Sequence, residues 1–172
     1  VTALRREPAK HEDHSDTMNV RVRVSSEGDV RTLAELCRAS FEALAVERGG
    51  SVHVLKEAFT EPVEAHLTAI VHDDRWLALL GTLDDAAVGV AVARLDEISD
   101  SSHLATVEVL YVDPPAREVG VGEKLLTAVV DWAARRGATG VDVRVLPGMR
   151  VSKSFLESSG FVARLLVMHR QL

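Results

Sequence analysis

Residues 106–122 read Thr-Val-Glu-Val-Leu-Tyr-Val-Asp-Pro-Pro-Ala-Arg-Glu-Val-Gly-Val-Gly, and this stretch decides the fold. Thr106 to Val112 is rich in β-branched residues and reads as a strand. Asp113-Pro114-Pro115 ends it, because proline has no N–H for a ladder and restricts the residue before it. The turn Arg117-Glu118-Val119-Gly120-Val121-Gly122 follows, and a helix is predicted from Glu123 to Arg136. On it Val121, Leu125, Leu126, Val129, Trp132 and Ala133 recur at helical spacing, while Glu123, Lys124, Thr127, Asp131 and Arg135 take the other face. Free N–H groups at such a helix start, with glycines admitting a ligand, suit a pyrophosphate.

The dinucleotide-binding fingerprint needs a third glycine after Gly120 and Gly122 in a first strand–helix unit, and this turn lies two-thirds along the chain. A P-loop needs Gly-Lys-Ser or Gly-Lys-Thr, which the sequence lacks. Both are excluded. R-x-x-G-x-G alone arises by chance in roughly 10–20% of chains this long, so its neighbours must carry the reading. The order from Glu108 to Pro114, through the turn and helix, to the predicted strand Val141–Val145 and a short helix closed by Gly160-Phe161, is far more specific.

That order resembles the GNAT superfamily of acyl-CoA-dependent N-acetyltransferases, most strongly from Ala105 to Phe161. The resemblance implies an α/β (α+β) fold. Its mixed, mostly antiparallel twisted sheet is flanked by helices, and its two central strands splay in a V. It implies acetyl-CoA as acyl donor and an amine as acceptor. Leu110, Tyr111 and Val112 would run beside the pantetheine arm, and Arg117, Glu118, Val119, Gly120, Val121, Gly122 and Glu123 would meet the pyrophosphate, with Lys124, Arg150 and Lys153 as further phosphate partners.

The chain departs from the family in several places. Leu156 stands where many relatives carry a tyrosine acid, and Met149 stands in place of a frequent asparagine. Glu118 and Val119 replace a glycine and a basic residue in the turn. These changes keep a second reading open, a GNAT-fold module that binds acyl-CoA as a sensor or interaction unit without turnover.

The remaining chain fits the same order. Val20 to Val24 alternates Val and Arg as a half-buried strand, and Ser26 is placed to cap a helix carrying Val30, Leu33, Leu36, Cys37, Phe41 and Leu44. Gly49-Gly50 breaks that helix, Ser51 to Thr60 is ambiguous, and a second helix is predicted from Pro62 to Val71. Trp76–Leu83 and Ala86–Leu95 flank Asp84-Asp85 as a hairpin, and only Val162 to Leu172 is left for the family's usual final pair of strands, expected here to be short or reduced to one. Val1 to Asn19 reads as a flexible polar leader that includes His11 and His14, with no metal site expected there; residues 20–172 form the domain.

At 172 residues, 47% hydrophobic and 27% charged, the composition is that of one globular domain. A net charge of −6 argues against nucleic acid and anionic membranes as partners and is compatible with a cationic acceptor. The sequence shows no signal-peptide apolar segment, so a cytoplasmic location is expected; a homodimer is left open. Cys37, the lone cysteine, lies on the apolar helix face and is expected in the core.

Amine acetylation needs a neutral nucleophile. A lysine-like amine at pH 7 is neutral about once in 2,500 molecules, a cost near ~4.6 kcal/mol, so a base is useful. Glu108 is the candidate, set among apolar residues where burial favours the neutral acid. Substrate anchoring, or a salt bridge to an arginine such as Arg94, are its alternatives. Simple alternation puts Glu108, Leu110 and Val112 on one face and turns Tyr111, the only tyrosine, away. A thiol leaves without protonation at a cost of at most ~2 kcal/mol, so the missing tyrosine need not abolish turnover.

Overall fold

A computed structural model describes residues 18–172. His11, His14 and most of the predicted leader lie outside them; the Asn19 carbonyl accepts the Asp84 N–H at 3.1 Å, and the Asn19 N–H donates to Asp84 Oδ1 at 2.9 Å. The chain then runs β1 (Val20–Val24), α1 (Val30–Ala45), α2 (Gly50–Glu57), α3 (Val63–His72), β2 (Trp76–Leu83), β3 (Ala86–Glu97), β4 (His103–Val112), α4 (Val121–Arg135), β5 (Ala138–Val143) and α5 (Arg150–Ser158).

Five strands form one sheet in the order β1-β2-β3-β4-β5, antiparallel except for the parallel β4–β5 pair. That parallel pair is joined by the α4 crossover, as the proline-ended strand and amphipathic helix required. Asp84 and Asp85 both take positive φ, 48° and 68°, the geometry of a tight two-residue hairpin.

Two cores lie on opposite faces of the sheet. On one, Leu33, Cys37 and Phe41 of α1 and Val63, Leu67 and Ile70 of α3 pack on Ala78, Leu80, Val90, Val92 and Val109. Cys37 is fully buried there, and that burial raises its thiol pKa to about 12. On the other face Val121, Leu125, Val129, Trp132 and Ala133 of α4 cover Leu77, Leu79, Ala91, Ala93, Ala105 and Val107.

Helix α4 begins almost on the sheet. Gly81 and Gly89 are register partners in β2 and β3, and a Cβ on either would meet Val121 Cγ1, at 2.7 Å and 3.0 Å respectively. The glycine pair makes a notch for the first turn of α4, so close approach of backbone to side chain is the reason for glycine here.

Two expectations are corrected. The ambiguous stretch after Gly49 is a helix, α2, so three helices rather than two precede β2. Gly49 takes φ 81° and turns the chain, while Gly50 already opens α2 with no room for a side chain, since a Cβ would fall 1.7 Å from the Leu44 carbonyl oxygen. The final strand is absent: residues 162–172 carry no regular structure, because no neighbouring strand takes their backbone groups.

Candidate active site

β4 and β5 pair from His103↔Ala138 to Val107↔Val143 and no further. β5 ends at Val143 while β4 continues to Val112, so beyond Val107 the β5-facing edge of β4 is without a ladder partner. This is the V expected between the central strands. Glu108 sits where it opens.

The register with β3 explains why Glu108 points where it does. Val92 pairs with Val109 and Ala93 with Val107, leaving Glu108 as the extra residue of a β-bulge. A bulge resets alternation and re-aims side chains. Val107 accordingly packs toward α4, whereas Val109 and Tyr111 pack toward α1 and α3, and Leu110 and Val112 toward α4. The simple alternation is therefore corrected. Glu108 parts from Leu110 and Val112 and turns to the face where Arg94 lies over Trp76 at 5.6 Å. Tyr111 shares that face rather than opposing it.

Glu108 is nearly buried, with 12% of its side chain exposed, and its carboxylate is held by two guanidinium groups. Arg144 Nη1 donates to Oε2 at 2.7 Å and Arg94 Nη2 lies 3.5 Å from Oε1. Arg144 also lies 3.3 Å from Glu57 at the end of α2, and Arg94 lies 3.2 Å from Asp96. Four parts of the fold thus meet at the bulge: β3, β4, the chain leaving β5, and α2. Arg94 was foreseen as a partner. Arg144 and Glu57 are not evident from sequence, because Arg144 falls inside the predicted strand Val141–Val145 and Glu57 inside the ambiguous stretch.

The turn keeps the geometry expected of an anion site. Gly120 is the N-cap of α4 with φ 91°, and a Cβ built on it meets nothing within 4 Å. Glu118 also takes positive φ, 68°. Among the described residues no backbone carbonyl accepts the N–H groups of Val119, Gly120, Val121, Gly122 or Glu123, which leaves them to a ligand or solvent. The acyl-CoA implied by the turn fits this open, donor-rich backbone. Gly122 faces Val112 and Phe155, whose atoms would lie 3.7 and 3.9 Å from a Cβ, so α5 closes over the same turn.

The basic side chains are less free than their positions promised. Arg117 Nε donates to the Val112 carbonyl at 2.9 Å and its guanidinium lies 5.9 Å from the centre of the Tyr111 ring. Burial raises the Tyr111 pKa. Lys124 donates to the Val20 carbonyl at 2.7 Å and so ties α4 to β1 rather than reaching a phosphate. Lys153 pairs with Glu157 one turn along α5, and Arg150 is exposed at the start of that helix. Leu156 is buried at 7% exposure, and its carbonyl accepts the Phe161 N–H at 3.0 Å, closing α5 through Gly160 with φ 87°.

Two clefts lie away from Glu108. One of about 480 Å³ runs along Leu83, Val88 and the Asp113–Ala116 corner; the other, about 140 Å³, lies between the exposed side of α4 at Glu123, Thr127 and Val130 and the end of α5 at Ser159 and Phe161.

Comparison with known proteins agrees with this geometry. The profile described as "Acetyltransferase (GNAT) family" matches residues 36–161. Aminoglycoside N(6')-acetyltransferase type 1 of Salmonella typhimurium is 29% identical over 107 residues, 58% of this chain and 74% of that one. Among solved structures, a metagenomic aminoglycoside acetyltransferase, meta-AAC0020 in complex with sisomicin, aligns with a TM-score of 0.67 at 23% identity, covering 89% of this chain and 95% of that one. AAC(6')-Iy in complex with a CoA–acetylneamine bisubstrate analogue aligns at 0.69 and 18% identity, covering 90% and 99%. The match over most of the chain, the splayed strands and the capped glycine turn lead to one conclusion: the chain belongs to the acetyltransferase (GNAT) family of acyl-CoA-dependent N-acetyltransferases, with acetyl-CoA as its co-substrate.

Proposed function

We propose that this protein acetylates a primary amine of a polycationic, aminoglycoside-like acceptor by direct attack on acetyl-CoA, with Glu108 accepting the amine proton. The observation that carries this is the bulged, nearly buried Glu108 at the mouth of the β4–β5 opening. The acceptor class is supported by the 29% identity to an aminoglycoside N(6')-acetyltransferase over 107 residues. A net charge of −6 supports it too.

Acetyl-CoA supplies a thioester whose carbonyl carbon the neutral amine attacks. The chain's tasks follow from its residues. The N–H groups from Val119 to Glu123 hold the pyrophosphate at the positive end of α4, and the edge of β4 from Leu110 to Val112 lines the acyl arm. A backbone N–H near Val109 or Leu110, beyond the last β4–β5 pair, would steady a developing oxyanion. Glu108 draws the acceptor's ammonium into the opening and takes its proton, in competition with Arg144 for Oε2. Water, or Ser152 or Ser154 on α5, would return a proton to the departing thiolate; Leu156 has none to give.

The test is thiol release from acetyl-CoA against a panel of aminoglycosides and simple diamines. Turnover with kcat/KM at least tenfold higher for aminoglycosides is expected. Equal rates for all amines would reject the acceptor class, and acetyl-CoA binding without thiol release would reject the catalytic reading.

A further inference from the structure

One nitrogen of Arg144 stands between two carboxylates. Its Nη1 lies 2.7 Å from Glu108 Oε2 and 3.3 Å from Glu57 Oε2, so a single donor group is shared by two acids from different elements. Glu57 is the last residue of α2, where a carboxylate faces the negative end of its own helix and is not stabilised by it. Its charge is answered by Lys56 at Oε1, 3.3 Å away, and by Arg144 at Oε2.

The two cations on Glu108 differ in how they are held. Arg94 lies in the middle of the sheet, paired with Trp76 on β2 and Thr106 on β4, and its guanidinium is further placed by Asp96 at 3.2 Å and by the Trp76 ring. Arg144 follows the last residue of β5, beyond the ladder, and only its side-chain pairs fix it. Arg94 is the fixed partner and Arg144 the one that can turn. A guanidinium in contact stabilises the charged carboxylate and so opposes its taking a proton. Once displaced, that guanidinium would stand beside the arriving ammonium, like charge against like, unless another acid received it. Glu57 already lies within reach of the same nitrogen.

We infer that Glu57 is a positioning residue for the transfer: as the acceptor's ammonium arrives, Arg144 passes from Glu108 to Glu57 and leaves Glu108 Oε2 to take the proton. The inference rests on the reading of Glu108 as base. The proton goes from the acceptor's nitrogen to Glu108, and Arg144 keeps its charge throughout. Helix α2 thereby acts on the reaction through Arg144, without touching the reacting atoms.

The test is a double-mutant cycle in thiol release, with kanamycin and 1,3-diaminopropane as acceptor probes. Glu57→Gln is expected to lower kcat/KM for the acceptor about tenfold and to change the acetyl-CoA KM less than about twofold, and Glu57→Asp to recover most of the loss. On the Arg144→Gln background, Glu57→Gln is expected to cost less than about twofold, because the group it receives is gone. Equal losses on both backgrounds overturn the inference, for Glu57 would then act on the acceptor or on the fold directly. Full activity of Glu57→Gln overturns it as well. Glu108→Gln separates the two readings. If its deficit shrinks as pH rises, either of those results removes the role of Glu57 alone; a pH-independent deficit, or no thiol release from the unmodified protein with either probe, removes the base and this inference together.

Discussion

Glu108 is shared among cations before any acceptor arrives. Its carboxylate touches Arg144 at 2.7 Å and Arg94 at 3.5 Å, so in the proposed reaction an incoming ammonium would bind by displacing a guanidinium contact rather than by filling an empty site. Glu108→Gln keeps the shape and can still accept from Arg144, while losing the ability to take a proton. We expect kcat to fall by about 10²–10⁴ at neutral pH, with the deficit shrinking as pH approaches the acceptor's pKa. Initial rates from pH 6 to 10 check this; a pH-independent deficit would make Glu108 an anchor. Gly120→Val tests the turn. Nothing crowds its Cβ, so the penalty is the φ of 91°, of order 1–3 kcal/mol for a branched residue. In addition, the thermal stabilisation given by acetyl-CoA, about 2.7 kcal/mol at a hundred times its dissociation constant, should largely vanish. At this scale the sequence named Glu108 and the glycines but misaimed Glu108. A bulge depends on two strands counted against each other, and β4 alone contains no mark of it.

At the scale of elements, helix α4 is set by what lies beneath it. Gly89→Ala would bring a Cβ within 3.0–3.2 Å of Val121, Leu125 and the Tyr111 carbonyl oxygen, where a backbone atom cannot yield. We expect a loss of about 1–3 kcal/mol in denaturant unfolding, and weaker acetyl-CoA binding by calorimetry because the start of α4 is lifted. The α1–α3 pair is tied differently, by Arg38 with Glu64 at 2.7 Å and Glu61 at 3.2 Å. The Arg38 hydrogen bonds hold the Glu64 pKa down to about 2 and lower that of Glu61. A carboxylate whose folded pKa lies below its unfolded value of about 4.3 contributes stability above that pH and loses it as pH falls toward 2. The melting-temperature gap between the unmodified protein and Glu64→Gln should therefore be present at pH 7 and close by about pH 2. The hairpin and helices α1, α3 and α4 were legible from periodicity and turn residues. Helix α2 was not, because its pattern mixes the two periods over only eight residues.

Taken whole, the molecule is acidic, −6 by formal charge, and its proposed acceptor is a polycation. Long-range attraction of that kind is screened as the Debye length falls from about 10 Å at 0.1 M salt to about 3 Å at 1 M. The acceptor KM should rise several-fold over that range while kcat changes little, and steady-state rates at fixed acetyl-CoA will show it. Charge, order of elements and the glycine turn carried the fold from sequence to structure. The expected last strand did not form, since residues 162–172 make no backbone hydrogen bond to the sheet, and strand pairing depends on two segments together, which eleven residues read alone do not carry.

The opening between β4 and β5 also dictates when the protein becomes active as it folds. β2, β3 and β4 are joined by short connections and can pair early, whereas β5 reaches β4 only after the whole α4 crossover has docked. Glu108 stands on the early part, Arg144 on the late part, and the turn between them. In a refolding experiment followed in time, sheet signal should therefore appear before acyl-donor binding, and binding no later than turnover.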